Sequence, residues 1–342
     1  MPARSEQGGP NPPQEGKESL RDQTFAFVFP GQGSQEVGMG LELYQQSEAA
    51  KSVFEAANEA LGFNLSKIIF EGPYEALRDT INSQPAILTV SIAAYEAWKE
   101  QSGNNAVVSV LNAGHSLGEY TSLVVSGVLP FDKGIMLVRE RGRLMKQASK
   151  KRPGGMAAIS GLDELAIEHI CAETGVEIGS INTDNQIVLT GERRAIAQAV
   201  DFANLRGAKK AEILKVSGAF HSSLMWEAQE GLQEATSKLH FNDPLVPIVA
   251  NTTAKPLTSG EEIPDELANG LCQRVLWKDT VNTMIGQGVT AIVEFGQGRI
   301  LSTFAKQIKR DLNVISVNNF DSTQKLAQLL QQPANLNNPL SA

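Results

Sequence analysis

The stretch VVSVLNAGHSLGEYTSLVVSGVL, residues 107–129, decides the architecture. An apolar run ends at Gly114-His115-Ser116-Leu117-Gly118, after which apolar residues resume at helical spacing. A strand, a sharp turn and a helix are therefore expected in succession. The pentapeptide satisfies G-x-S-x-G, the pattern that lifts a serine hydroxyl clear of the backbone between a strand and a helix. Its glycines have a steric reason, since side chains beside the serine would not fit so tight a turn. The helix that follows aims its free N–H groups and positive dipole end at the reacting atom. The alternative is a serine that only caps the helix.

On the N-terminal side, TFAFVFPGQGSQ (24–35) reads as a short buried strand ending in a Pro-Gly-Gln-Gly turn. A helical region covers 41–61, and QPAILTVSIAAYEAWKEQ (84–101) has the i, i+3, i+4 pattern of a helix with Pro85 near its start. AVVSVLNAG (106–114) is the strand before the turn. Strands alternating with helices argue for an α/β protein whose parallel sheet is covered on both faces. From 153 to 218 the pattern changes to βαββαβ: strands at 154–161, 176–182, 186–191 and 208–216, helices at 162–174 and 192–207. That order is ferredoxin-like and able to close a small core of its own. The expected organisation is a tail at 1–23, a body formed by 24–152 and 219–330, an inserted subdomain at 153–218, and a second tail at 331–342.

Composition narrows the function. The chain has 342 residues, 42% hydrophobic and 20% charged, enough for a large core. A net charge of −8 argues against a nucleic-acid binder. No run approaches the roughly 20 apolar residues of a membrane span, and the first 23 residues lack the apolar core of a signal peptide. Cys171 and Cys272 lie in apolar contexts without metal-ligand spacing, as expected of two buried thiols in a reducing compartment. A cytoplasmic protein is the expectation.

A serine nucleophile needs a base. His115 sits inside the turn, where its side chain should point away from that of Ser116; His169 lies in a subdomain helix and His240 follows a polar helix end. His221, in SGAFHSSLM where the chain returns from the insert, is the best-placed candidate. More than 100 residues follow it with no evident third member, and no Asp-Gly pair is present. A Ser–His dyad oriented by a neutral acceptor fits better than a triad.

One arginine faces inwards. In FDKGIMLVRERGRLMKQA (131–148), taking Ile135 as zero at ~100° per residue, Leu137, Val138, Leu144 and Met145 centre near 240°. Arg141 also falls at about 240°, whereas Arg139 and Arg143 fall roughly opposite. A cation facing a core must be paired. It is either a structural salt bridge or a clamp for a carboxylate carried by a ligand.

At this point FVFPGQGSQ, GHSLGEY, RERGRLM, INTDNQIVLTG and GAFHS stand in the order found in malonyl-CoA:acyl carrier protein transacylases. The resemblance covers about residues 24–325. It implies an α/β-hydrolase-like body with a ferredoxin-like subdomain, and ping-pong transfer of malonyl from malonyl-CoA to the phosphopantetheine thiol of acyl carrier protein. It implies a standalone enzyme of fatty-acid synthesis in preference to a trans-acting acyltransferase of a polyketide pathway, although the short chain fits both. By position, Ser116 resembles the nucleophile and His221 the base. Arg141 resembles the residue that grips the malonyl carboxylate. Gln32 and Leu117 resemble the oxyanion-hole donors, Asn182 the cleft asparagine, and Phe220 the pattern of malonyl-selective members. The chain departs from the family where a glutamine usually supplies the carbonyl that orients the base. Counting back from Trp277 in ELANGLCQRVLW puts Gly270 there, with Asn269 beside it. The resemblance implies no metal or prosthetic group and a monomer. Docking of an acidic carrier protein would need a local basic surface, for which Lys146, Lys150, Lys151, Arg152, Lys209, Lys210 and Lys215 near the two hinges are candidates. A thioester hydrolase would share the turn and the base but would have no use for an inward arginine. A non-catalytic acyl-binding module would tolerate loss of Ser116.

Overall fold

The structure is a computed structural model that describes residues 20 and 23–331. It contains two sheets. The larger combines β1 (Phe25–Phe29), β2 (Leu111–Gly114), β7 (Ile248–Val249), β8 (Pro256–Leu257), β9 (Ala291–Phe295) and β10 (Asn313–Val317) in the order β10-β9-β1-β2-β7-β8. All neighbours run parallel except β7 and β8, so the sheet is mixed and not the purely parallel one expected. The antiparallel edge arises because only six residues separate the two short strands, too few for a crossover.

Residue alternation along β1 shows why the sheet is covered on both faces. Phe25, Phe27 and Phe29 join a core with Trp98 and Phe295 on one side, while Ala26 and Val28 join Trp277, Met284 and Leu301 on the other. Phe27 meets Phe295 edge-on at 5.2 Å and Trp98 at 5.5 Å. The helix Thr80–Ser102 supplies much of the first face. It starts four residues earlier than the 84–101 pattern indicates, because the Asp79 side chain accepts a hydrogen bond from the Ile81 N–H and caps it there. Pro85 therefore lies inside the helix.

The segment 106–110 is not strand. Only Leu111–Gly114 pairs with β1, in register Ala26↔Leu111 to Phe29↔Gly114, and Val108 is 76% exposed. Its valines mimic a strand, but the only contact with β1 beyond that register among the described residues is the Val110 N–H, which donates to the Phe25 carbonyl at 2.8 Å.

The second sheet holds β3 (Gly154–Ser160), β4 (Glu177–Thr183), β5 (Gln186–Glu192) and β6 (Lys210–Ile213), all antiparallel, in the order β4-β5-β3-β6. Helices Glu164–Thr174 and Arg193–Leu205 pack on one face and close a separate core around Ile159, Ile170, Leu189 and Ile196. Met156, Ala158 and Val188 point the other way, towards the body.

Of the expected tails, residues 1–19, 21–22 and 332–342 lie outside the described residues. Leu20 packs on the core, Gln23 is buried and accepts from Asn313, and the last helix ends at Gln331. The packed part thus extends slightly beyond 24–330. Cys171 and Cys272 are free and half-buried, not fully buried, and burial pushes both thiols up to about 11.

Candidate active site

The C-terminal ends of β1 and β2 converge, and the sequence there leaves no room for side chains. A Cβ on Gly114 would lie 1.8 Å from the Gly118 carbonyl carbon, and one on Gly118 would lie 1.9 Å from the Phe29 oxygen. A Cβ on Gly31 would meet the His115 oxygen at 2.4 Å. These glycines let the loop after β1, the turn after β2 and the following helix approach at backbone contact. Gly118→Ala is expected to lower stability by about 1–3 kcal/mol through this overlap. Thermal unfolding checks it, and an unchanged midpoint would mean that the approach is looser than described.

Ser116 occupies the turn with φ 53° and ψ −103°, a conformation L-residues rarely adopt. It persists because surrounding bonds over-determine it. The Ser116 N–H donates to Asn251 Oδ1 at 2.7 Å, and Asn251 Nδ2 donates to the Gly114 carbonyl at 2.7 Å. The Asn251 N–H donates in turn to Glu119 Oε1 at 3.0 Å. Burial pushes the Glu119 carboxyl well above the usual carboxylate range, with neighbouring Glu266 adding to the shift. The sequence reading missed Asn251 and Glu119. The only trace was an asparagine ending the apolar run PIVAN, in a stretch not recognised as a strand.

The serine hydroxyl lies between two cationic or basic partners whose hydrogen-bond directions are forced. His221, also at positive φ (58°), places Nδ1 2.7 Å from the Gly270 carbonyl, which can only accept. The proton therefore sits on Nδ1, and Nε2, 2.8 Å from Ser116 Oγ, accepts the hydroxyl proton. Arg141 Nη2 donates to the same Oγ at 3.1 Å. Burial lowers the His221 pKa to about 3, helped by the Arg141 charge and by His115. Of the two orienting candidates, Gly270 supplies the carbonyl. Asn269 does not: its Oδ1 accepts from Gln229 at 3.1 Å. Gly270 has φ −59°, open to any residue, so the carbonyl does not depend on a glycine there.

Arg141 is 2% exposed on the inward face of the helix Phe131–Lys151, as the periodicity indicated. It donates from Nη1 to Gln84 Oε1 at 2.7 Å and lies over the Tyr120 ring, 5.2 Å from its centroid. Among the described residues no carboxylate forms an ion pair with it, and its buried Nε has no hydrogen-bond acceptor. Burial lowers its pKa, opposed by Tyr120 and Glu119.

A cavity of about 580 Å³ opens between the two sheets and is lined by Gln32, His115, Ser116, Asn182, Phe220 and His221, among others. Asn182 Oδ1 meets His115 Nε2 at 2.9 Å, so the His115 ring is engaged with the subdomain and not with the serine. The carbonyl of Phe220 accepts from Thr190 Oγ1 at 2.8 Å, which ties the His221 loop to β5. Leu117 is the first residue of the helix Leu117–Val125, so its N–H has no intrahelical acceptor. Arg299, Ile300 and Phe304 also line the cavity, without any signal in the sequence. Of the basic residues near the hinges, Lys146 pairs with Asp79, Lys151 with Glu227 and Lys210 with Glu212, while Arg152 lies over Trp226.

The acyl transferase domain family matches residues 26–319. Malonyl CoA-acyl carrier protein transacylase of Bacillus subtilis (strain 168) is 40% identical over 313 residues, covering 90% of this chain and 98% of its own. The protein of the same name from Escherichia coli (strain K12) is 39% identical over 298 residues, covering 86% of this chain and 96% of its own. The solved acyl-carrier-protein-S-malonyltransferase from Bartonella henselae superposes with a TM-score of 0.87 at 37% identity, covering 90% of this chain and all of that one. A type II PKS acyl-carrier protein in complex with its malonyl-transacylase superposes with a TM-score of 0.86 at 36% identity, covering 89% of this chain and 99% of that one.

Proposed function

The chain belongs to the acyl transferase domain family, among its malonyl-CoA:acyl carrier protein transacylases, and we propose that Ser116 carries the malonyl group as an ester between two half-reactions. It transfers malonyl from malonyl-CoA to the phosphopantetheine thiol of acyl carrier protein. The observation that carries the reading is the convergence of His221 Nε2 and a carboxylate-free, buried Arg141 on one serine oxygen.

In the first half-reaction His221 Nε2 takes the Ser116 proton as Oγ attacks the thioester carbonyl. The oxyanion is received by the N–H groups of Gln32 and Leu117, each such donor being worth about 3–4 kcal/mol in the barrier. CoA leaves as the thiol with the proton from His221. In the second, the phosphopantetheine thiol gives its proton to His221 and attacks the ester carbonyl, and Ser116 Oγ leaves with that proton, restoring the hydroxyl and the neutral His221. Arg141 holds the malonyl carboxylate throughout. An acetyl group would leave this buried cation unanswered, and there selectivity arises. Asn182 and Phe220 shape the acyl cavity.

The architecture fits this role. We assign 24–152 and 219–330 to an α/β-hydrolase-like body and 153–218 to a ferredoxin-like subdomain, supported by the strand order β4-β5-β3-β6 and the separate core. Lys150, Lys209 and Lys215, which form no ion pair among the described residues, remain for carrier-protein docking. The same reading makes the enzyme a cytoplasmic monomer serving fatty-acid elongation.

The test is the intact mass of the protein after brief mixing with malonyl-CoA. A malonyl adduct that acyl carrier protein then discharges is expected; hydrolysis of the thioester without an adduct would favour a hydrolase.

The depressed His221 pKa has a signed consequence. The unfolded side chain binds a proton below about 6.5, the folded one only near 3, so the unfolded state holds more protons between these values. Stability contributed by neutral His221 is therefore complete above 6.5 and is lost as pH falls towards 3. Adduct formation should show no inflection between pH 8 and 5.5, while the unfolding midpoint declines below 6.5. A rate that falls with an apparent pKa near 6.5 would contradict the buried, neutral base.

A further inference from the structure

A line of hydrogen bonds joins the arginine to the loop after β1. Arg141 Nη1 donates to Gln84 Oε1 at 2.7 Å, and Gln84 Nε2 donates to Thr80 Oγ1 at 2.8 Å. Thr80 Oγ1 donates to Gln32 Oε1 at 3.1 Å, and Gln32 Nε2 donates to Ser83 Oγ at 2.9 Å. The directions follow from chemistry. A guanidinium only donates, so Gln84 must present its oxygen to Arg141 and its nitrogen to Thr80. Thr80 then accepts from Gln84 and has one hydrogen left, which goes to the Gln32 oxygen. The Gln32 nitrogen is left for Ser83. Thr80, Ser83 and Gln84 are all buried in the first two turns of the helix Thr80–Ser102.

We propose that Thr80 is a positioning residue that fixes the distance between the Arg141 guanidinium and the Gln32 N–H, so that the site favours an acyl group bearing a carboxylate one methylene from its carbonyl. The proposal rests on the roles given above to Arg141 and Gln32. Its physical basis is that only a group engaging both ends at once feels the spacing between them. Malonyl places its carboxylate on Arg141 and its thioester oxygen at the Gln32 N–H. Acetyl reaches only the second. Without the Thr80 hydroxyl, Gln32 still has Ser83 and Arg141 still has Gln84. What is lost is the link between them, so that the two ends of the hydrogen-bonded chain are no longer held to one spacing.

The experiment exposes the protein to an equimolar mixture of malonyl-CoA and acetyl-CoA and reads the ratio of the two adducts by intact mass. The ratio is internal to each sample, so it does not depend on the fraction folded. Thr80→Val should lower the malonyl-to-acetyl ratio about tenfold, the scale of one hydrogen bond in a charged chain. Thr80→Ser, which restores the hydroxyl, should bring it back to the wild-type value. In an Arg141→Ala background Thr80→Val should not move the ratio further. Thr80→Ala gives the same readings if the valine variant does not fold. Equal loss of both adducts, an unchanged ratio, or the same fall without Arg141 would each overturn the proposal. Failure of the underlying reading looks different: the unsubstituted protein would form no malonyl adduct, or Arg141→Ala would leave its ratio unaltered.

Discussion

Ser116→Ala is expected to reduce malonyl transfer by a factor on the order of 10⁵ and to abolish the malonyl adduct, because no other group can accept the acyl chain at that point. Among the described residues, the hydroxyl is the single atom reached by both His221 Nε2 at 2.8 Å and Arg141 Nη2 at 3.1 Å. His115 is the nearest substitute by sequence, but its Nε2 is engaged with Asn182. The backbone of the turn is held through the Ser116 N–H and not through the side chain, so the variant should fold and bind malonyl-CoA. Rapid mixing with intact-mass detection measures the adduct, and a coupled assay measures transfer. A persistent adduct in Ser116→Ala would place the acyl group elsewhere and remove the mechanism.

Arg141→Ala should reduce the preference for malonyl over acetyl by about 10²- to 10³-fold, the scale of breaking a buried, hydrogen-bonded charge pair. The effect falls on malonyl alone. The substrate carboxylate would enter a buried pocket with no cation, and desolvation would no longer be offset. Arg141→Lys should recover little, since an ammonium cannot bond Gln84, Ser116 and a carboxylate together from one planar fork. A second consequence concerns His221. Arg141 lowers the His221 pKa, so a carboxylate bound against Arg141 is expected to raise it. Arg141→Ala should therefore raise the His221 pKa in the free protein, measurable by imidazole NMR. A preserved malonyl-to-acetyl ratio in the alanine variant would show that the carboxylate is bound by another group.

The features legible in the sequence share one property, which is that their cause lies within a few residues. Gly114, Gly118 and the apolar flanks announce a strand, turn and helix because tight turns and periodicity are local. Arg141 could be placed on a buried face by counting along its own helix, and it is buried there. The βαββαβ order of 153–218 was likewise readable from alternating short segments. Where local pattern misled, pairing decided. Val107 and Val108 look like strand, but β1 begins at Phe25, whose carbonyl already accepts from the Val110 N–H, and it offers nothing beyond.

What only the tertiary structure decided are the groups that act through their position and not their identity. The carbonyl that orients His221 belongs to Gly270, 49 residues away, and a backbone carbonyl leaves no mark on the sequence. Asn251 clamps the strained Ser116 from 135 residues away. Thr80 and Gln84 join Arg141 to Gln32 only because the helix Thr80–Ser102 packs between the elements that carry them. The sequence by itself determined the candidate serine, its turn and the inward charge, since steric exclusion and helical period are written into neighbouring residues. The fold determined how these groups are held, since hydrogen-bond partners are chosen by distance in space.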